Sequence, residues 1–99
     1  MTDALADEMR PVLWRLARLD FDAVRGRPIV QYPEGALLLN DSGRDILALC
    51  DGSRTVSDIS GELAARYGAD VDVLSDVREF LGRLVERELV LDARVARRR

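Results

Sequence analysis

Apolar and polar positions change period near residue 40. Before it, apolar residues alternate with polar ones and the runs break at turn residues; after it, they recur every third or fourth position. Ala17, Leu19 and Phe21 alternate with Arg18, Asp20 and Asp22, the pattern of a half-buried strand. Arg25-Gly26-Arg27 reads as a solvated reversal, and Pro28, which cannot donate to a ladder, belongs at a strand start or an edge. Residues 29–32 form a second short strand, Pro33-Glu34-Gly35 a turn, and residues 36–39 a third strand. Three strands joined by short turns predict an antiparallel meander.

The later half predicts three helices. Ser42-Gly43-Arg44-Asp45 fits a capping box, and Ile46, Leu47, Leu49 and Cys50 give a short helix stopped by Asp51-Gly52. Thr55-Val56-Ser57-Asp58 is a second capping box. Val56, Ile59, Leu63 and Tyr67 form its stripe, and Gly68 its end. A third helix begins near residues 70–72, runs to about Glu88, and is followed by a brief extended Leu89-Val90-Leu91. It carries two apolar seams, Val73, Val77, Phe80 and Leu84 on one line and Leu74, Leu81 and Val85 on another. Either both seams are core, or one packs inward and the other lines a groove. Strands followed by helices give an α+β fold, a three-stranded antiparallel sheet against a three-helix bundle.

The third strand poses a question. Ala36-Leu37-Leu38-Leu39 is apolar on both faces, and in a meander this strand keeps a free outer edge. Either the first two helices fold over that edge, or it awaits an extended peptide that completes the sheet.

Composition narrows the chemistry. Ninety-nine residues make one domain with one small core, and no apolar run approaches the length of a membrane helix. With no signal-peptide pattern, the expected location is cytoplasmic. The chain has no His and one Cys, which excludes an internal disulfide, a histidine dyad and the usual zinc ligand sets. Cys50 reads as a small buried hydrophobe. Trp14 either anchors the first strand or lies at a dimer contact. A net charge of −3 argues against general affinity for phosphate backbones, although all fifteen basic residues are Arg. No carboxylates pair in an apolar pocket as general acid–base work would need, so no catalytic residue, cofactor or metal is expected.

The segments LDFDAVRGRPIVQYPEGALLLND, ILALCDGSRTVSDISGELAARYG and DVREFLGRLVERELV together resemble the PqqD family of pyrroloquinoline quinone biosynthesis. The similarity spans roughly residues 16–91. It implies a winged-helix-like recognition domain over residues 13–92; outside it, the polar, acidic start reads as a flexible N-terminus (residues 1–12) and the end as a basic C-terminal tail (residues 93–99). It implies a non-catalytic role: binding a PqqA-like precursor peptide and presenting it to a radical S-adenosylmethionine enzyme resembling PqqE. Carried over, the guest backbone lies along Ala36, Leu37, Leu38, Leu39 and Asn40, and Val77, Phe80, Leu81 and Leu84 of the third helix supply the facing wall. Asp76, Glu79 and Arg83 read as a solvated rim rather than specific contacts, and Arg25-Gly26-Arg27 as a solvated turn rather than a contact to an acidic precursor peptide.

Other readings stay open beside it. The chain is alternatively the recognition element of another ribosomal peptide modification pathway. A winged-helix DNA-binding regulator fits the turn at residues 51–55, but its candidate reading helices carry Asp58, Glu62, Asp72, Asp76 and Glu79. An apolar edge strand also favours homodimers.

Overall fold

A computed structural model describes residues 7–68 and 72–96. The elements are β1 (Pro11–Leu13), β2 (Arg18–Asp22), β3 (Arg27–Tyr32), β4 (Gly35–Leu38), α1 (Asp41–Ala48), α2 (Val56–Tyr67), α3 (Val73–Glu86), β5 (Val90–Asp92) and the short α4 (Ala93–Ala96). The expected meander is present as an antiparallel sheet of order β2-β3-β4. Its register sets Leu19 opposite Val30, Val30 opposite Leu37, and Ile29 opposite Leu38. Period-two alternation then divides the sheet. Leu19, Val30, Leu37 and Leu39 join the core under the helices, whereas Ala36 and Leu38 lie on the face turned away from it.

A second, two-stranded sheet pairs β1 with β5 antiparallel, a long-range pairing that period alone does not predict. The expectation of a loose segment through residue 12 is therefore corrected for residues 7–12; residues 1–6 lie outside the described part. Met9 is only 1% exposed and belongs to the core. The physical reason sits at the start of α2, where four backbone N–H groups lack helical partners. The Val56 amide donates to the Met9 carbonyl at 2.9 Å and the Ser57 amide to the Asp7 carbonyl at 3.2 Å. Thr55 and Asp58 complete the predicted capping box, with the Asp58 amide donating to Thr55 Oγ1 at 3.0 Å. Arg78 on α3 adds an ion pair to Asp7 at 3.0 Å. The start of the expected basic tail is tied to the same region. The Ala93 amide donates to the Arg10 carbonyl and Arg94 pairs with Asp92 at 2.8 Å, while residues 97–99 lie outside the described part.

The helix boundaries shift for identifiable reasons. The cap of α1 lies two residues before the predicted Ser42: Asn40 is the N-cap, and its Oδ1 accepts from the Gly43 amide at 2.8 Å. Asp45 does not reach back to the cap; Tyr67 donates its hydroxyl to Asp45 and ties α2 to α1. Tyr67 therefore sits at the surface rather than in the core stripe it was read into. Residues 70 and 71 lie outside the described part, and the cap of α3 is Asp72, whose Oδ1 accepts from the Ser75 amide at 3.2 Å. α3 ends in a Schellman motif, with the Leu89 amide donating to the Leu84 carbonyl and the Glu88 amide to the Val85 carbonyl, both at 2.9 Å. Glu88 takes the left-handed position there (φ 62°). Trp14 packs against the core from the loop after β1, its amide donating to the Leu89 carbonyl at 2.8 Å. Phe21, read as the buried side of the first predicted strand, is 56% exposed at the far end of the sheet.

Candidate peptide-binding site

β4 occupies one end of the three-stranded sheet, and among the described residues no strand pairs with its outer edge. The direction of its backbone groups follows from the ladder. The Leu39 amide donates to the Pro28 carbonyl at 2.9 Å, which makes residues 28 and 39 a hydrogen-bonded pair. Alternation in an antiparallel ladder then points the N–H and C=O groups of Leu37 inward to β3 and those of Ala36 and Leu38 outward. Pro28 has no N–H to return to Leu39. The Arg27 guanidinium donates to the Leu39 carbonyl instead, from Nε at 3.2 Å and Nη2 at 3.1 Å.

Two adjoining cavities run along this edge and beyond it. The first, of about 300 Å³, lies between β4 and the last turns of α3 and is lined by Leu37, Leu38, Leu39, Asn40, Phe80 and Leu84, with Arg27, Arg83 and Arg87 around it. The second, of about 270 Å³, continues past Asn40 between α1, α2 and α3. Buried Ile46, Leu63, Val73 and Val77 contribute to it, together with the polar Ser42, Tyr67, Asp76 and Glu79. Asn40, Phe80 and Arg83 line both cavities and form the sill between them.

Phe80 owes its position to a missing side chain. A Cβ on Gly43 would meet the ring edge of Phe80 at 2.9 Å, so the ring lies directly against the first turn of α1. The residues read from the sequence as a site are thus largely gathered. Leu37, Leu38, Leu39, Asn40, Phe80 and Leu84 line the cavity beside β4, and Val77 the second one. Ala36 is exposed on the edge itself. Leu81 is fully buried in the core and lines neither cavity, because the inward line of α3 is Val73, Val77, Leu81 and Leu84, which takes members from both predicted seams. Arg27, weighed as a peptide contact but read as part of a solvated turn, lines the first cavity, and Arg87, Tyr67 and Gly43 are further site residues that the pattern does not single out. A buried glycine in the first turn of a helix was the available signal for the last of these.

Tyr67, which lines the second cavity, is coupled electrostatically to Asp45. The hydrogen bond from Tyr67 holds the Asp45 carboxyl below its ordinary range, while burial and then Asp45 raise the Tyr67 hydroxyl. Cys50 lies elsewhere, in the core, where burial and secondarily Asp51 push its thiol up to about 12; it stays protonated at neutral pH and donates to the Ile46 carbonyl at 3.2 Å.

Comparison with known proteins places this geometry. Residues 29–90 match the family model for coenzyme PQQ synthesis protein D (PqqD). A PqqA binding protein of Rhodopseudomonas palustris (strain BisB5) is 38% identical over 91 residues, covering 91% of this chain and 89% of its own. One from Bradyrhizobium diazoefficiens is 35% identical over 92 residues, covering 92% and 89%. The solution structure of the PqqD truncation of Methylobacterium extorquens PqqCD, described as a functional and stand-alone recognition element for ribosomally synthesized and post-translationally modified peptides, superposes with a TM-score of 0.68. It shares 34% identity, over 81% of this chain and 86% of that one. On all three grounds, this chain belongs to the PqqD family.

Proposed function

We propose that this chain is a non-catalytic adaptor of pyrroloquinoline quinone biosynthesis that holds a PqqA-like precursor peptide and presents it to a radical S-adenosylmethionine enzyme. The guest adds as a strand to the outer edge of β4 and packs its side chains against α3. The observation that carries this reading is the open edge of β4 set beside an apolar wall of Phe80 and Leu84. The names of the relatives, which describe binding of PqqA, support the choice of guest.

The energies are of the right size. Ala36 and Leu38 offer four outward main-chain groups, worth ~1 kcal/mol net for each hydrogen bond formed. A micromolar complex requires about 8 kcal/mol. Side-chain burial in the groove supplies the remainder at about 25 cal/mol per Å², offset by the ordering of the guest.

Calorimetric titration with a PqqA peptide, followed by amide spectra, tests the reading. Ala36 and Leu38 amides are expected to shift and gain protection from exchange, while those of Leu37 and Leu39, already bonded to β3, change little. Peptide binding that leaves the Ala36 and Leu38 amides untouched would sink strand addition.

A further inference from the structure

The cavity beside β4 is lined by three arginines, Arg27, Arg83 and Arg87, and by no carboxylate among the described residues. That is uneven for a chain with eighteen acidic residues and a net charge of −3. Elsewhere Arg25, Arg44, Arg54, Arg78 and Arg94 sit within 4 Å of a carboxylate, whereas Arg10, Arg15, Arg18 and Arg66 are scattered outside those pairs. It is the grouping of three arginines in one cavity that sets this site apart. None of the ion pairs found among the described residues involves Arg27, Arg83 or Arg87. Arg83 and Arg87 stand four residues apart near the end of α3, a spacing that brings like charges together on one helix face. The partial negative charge of the helix end eases that repulsion, and a bound anion would relieve it further. Acidic side chains return only past the sill, where Asp76 and Glu79 line the second cavity.

We infer that the groove reads charge as well as shape, and that the guest segment lying along Leu37 and Leu38 carries an Asp or Glu side chain received by Arg83 and Arg87. This rests on strand addition at β4 and adds the chemistry of the guest. Guanidinium groups pair with carboxylates through parallel hydrogen bonds, so the arginines select an acid at one register position rather than negative charge in general. Arg27 is already committed in part to the Leu39 carbonyl and contributes mainly its field.

The test is selection of a randomised peptide library on this protein, with each winner mapped by the amide shifts of Ala36 and Leu38. The expected result is peptides that shift those amides and carry Asp or Glu at a fixed spacing from apolar residues. Replacing that acid by its amide should weaken binding roughly tenfold or more. Selection on an Arg83→Glu, Arg87→Glu variant should then enrich Lys or Arg at the same position. Should that variant fold poorly, Arg83→Gln with Arg87→Gln removes the preference without reversing it. Winners that shift the β4 amides with no acidic preference overturn the charge reading and leave strand addition standing. Winners that bind elsewhere, or no winners, remove both. Retention of random duplex DNA at low salt, lost in the Gln variant, would assign the arginines to a phosphate backbone and also overturn it.

Discussion

Two short strands of this molecule meet their surroundings in opposite ways. β1 is filled on both sides. It pairs with β5 through Pro11, Val12 and Leu13, and the turn at residues 50–52 bonds its other edge, the Leu13 amide reaching the Cys50 carbonyl and the Gly52 amide the Pro11 carbonyl. Among the described residues, β4 pairs with β3 only. The two also differ in what covers them: β1 carries on from Met9 in the core, while Leu38 of β4 is 43% exposed. Proteins usually blunt an open apolar edge with charge or proline, and the chain closes both edges of β1, its shortest strand together with β5. Among the described residues β2 and β5 are also end strands, so what sets β4 apart is the apolar cavity beside its open edge.

The largest expected effect falls on the closed side. Met9→Ala empties a fully buried site and should cost about 2–5 kcal/mol, read as a lower denaturant midpoint, because the cavity adds to the lost transfer energy. If stability hardly changes, residues 7–12 are dispensable and the contrast with β4 fails.

On the open side, proline separates the two edges of one strand. Leu37→Pro deletes an amide bonded to β3 and should lower stability by at least ~1 kcal/mol. Leu38→Pro deletes an outward amide, so it should weaken peptide binding by roughly fivefold or more while leaving the melting temperature closer to wild type. Equal destabilisation by both substitutions would contradict the assigned direction of the ladder.

Gly43→Ala probes the groove wall without touching the guest. Alanine improves helix propensity by up to about 1 kcal/mol, but its methyl must displace the Phe80 ring. Forcing a side chain off its rotamer costs roughly 0.5–1.5 kcal/mol. Stability should stay near wild type and peptide affinity should fall by a few-fold to tenfold. Unchanged affinity would mean that the ring position does not shape the site.

Acid provides the smallest test. Asp51 is held below its ordinary value by the Ser53 hydroxyl and amide, and Asp58 by the Thr55 amide and hydroxyl. In Asp92 burial acts upward, but Arg94 and the Arg10 amide outweigh it and leave the carboxyl lowered. Groups with lowered folded values stabilise the protein above the ordinary carboxyl range and lose that contribution as pH falls through the folded values. The melting temperature should be flat from neutral pH to about 5 and decline below about 4. Three of the five carboxylates held low among the described residues sit at β1, β5 and the start of α2, against Asp22 in β2 and Asp45 in α1. Exchange of the Val12 and Leu13 amides should therefore rise before that of Leu37. A decline that starts at β4 would reverse the comparison.

Sequence legibility follows the range of the forces involved. The meander, α2 and its capping box rest on alternation and on contacts three or four residues apart, and these read directly from the chain. The start of α1 shifted because Asn40 and Ser42 are both good caps, and only the end of β4 decides between them. Residues 7–9 escaped notice because their partners are backbone amides of α2, to which any side-chain pattern is blind. In the site, the apolar residues of β4 and α3 were legible from their excess. Leu81 was misplaced because two seams a quarter turn apart cannot be ranked until the helix has a neighbour. Arg83 read as rim, and Arg27 as part of a turn, because an arginine's setting depends on carboxylates far away in the sequence.

Pro28 and Arg27 have a consequence beyond the sheet they sit in. The proline ends the exchange of hydrogen bonds at Leu39, and the arginine beside it takes the carbonyl left over, so the chain leaves the sheet one residue before Asn40 caps α1. The point where extended chain becomes helix is thus written partly in residues about twelve positions upstream. Positions 27, 28, 39 and 40 are thus coupled through one set of backbone bonds, and among relatives a loss at one of them should be accompanied by change at the others.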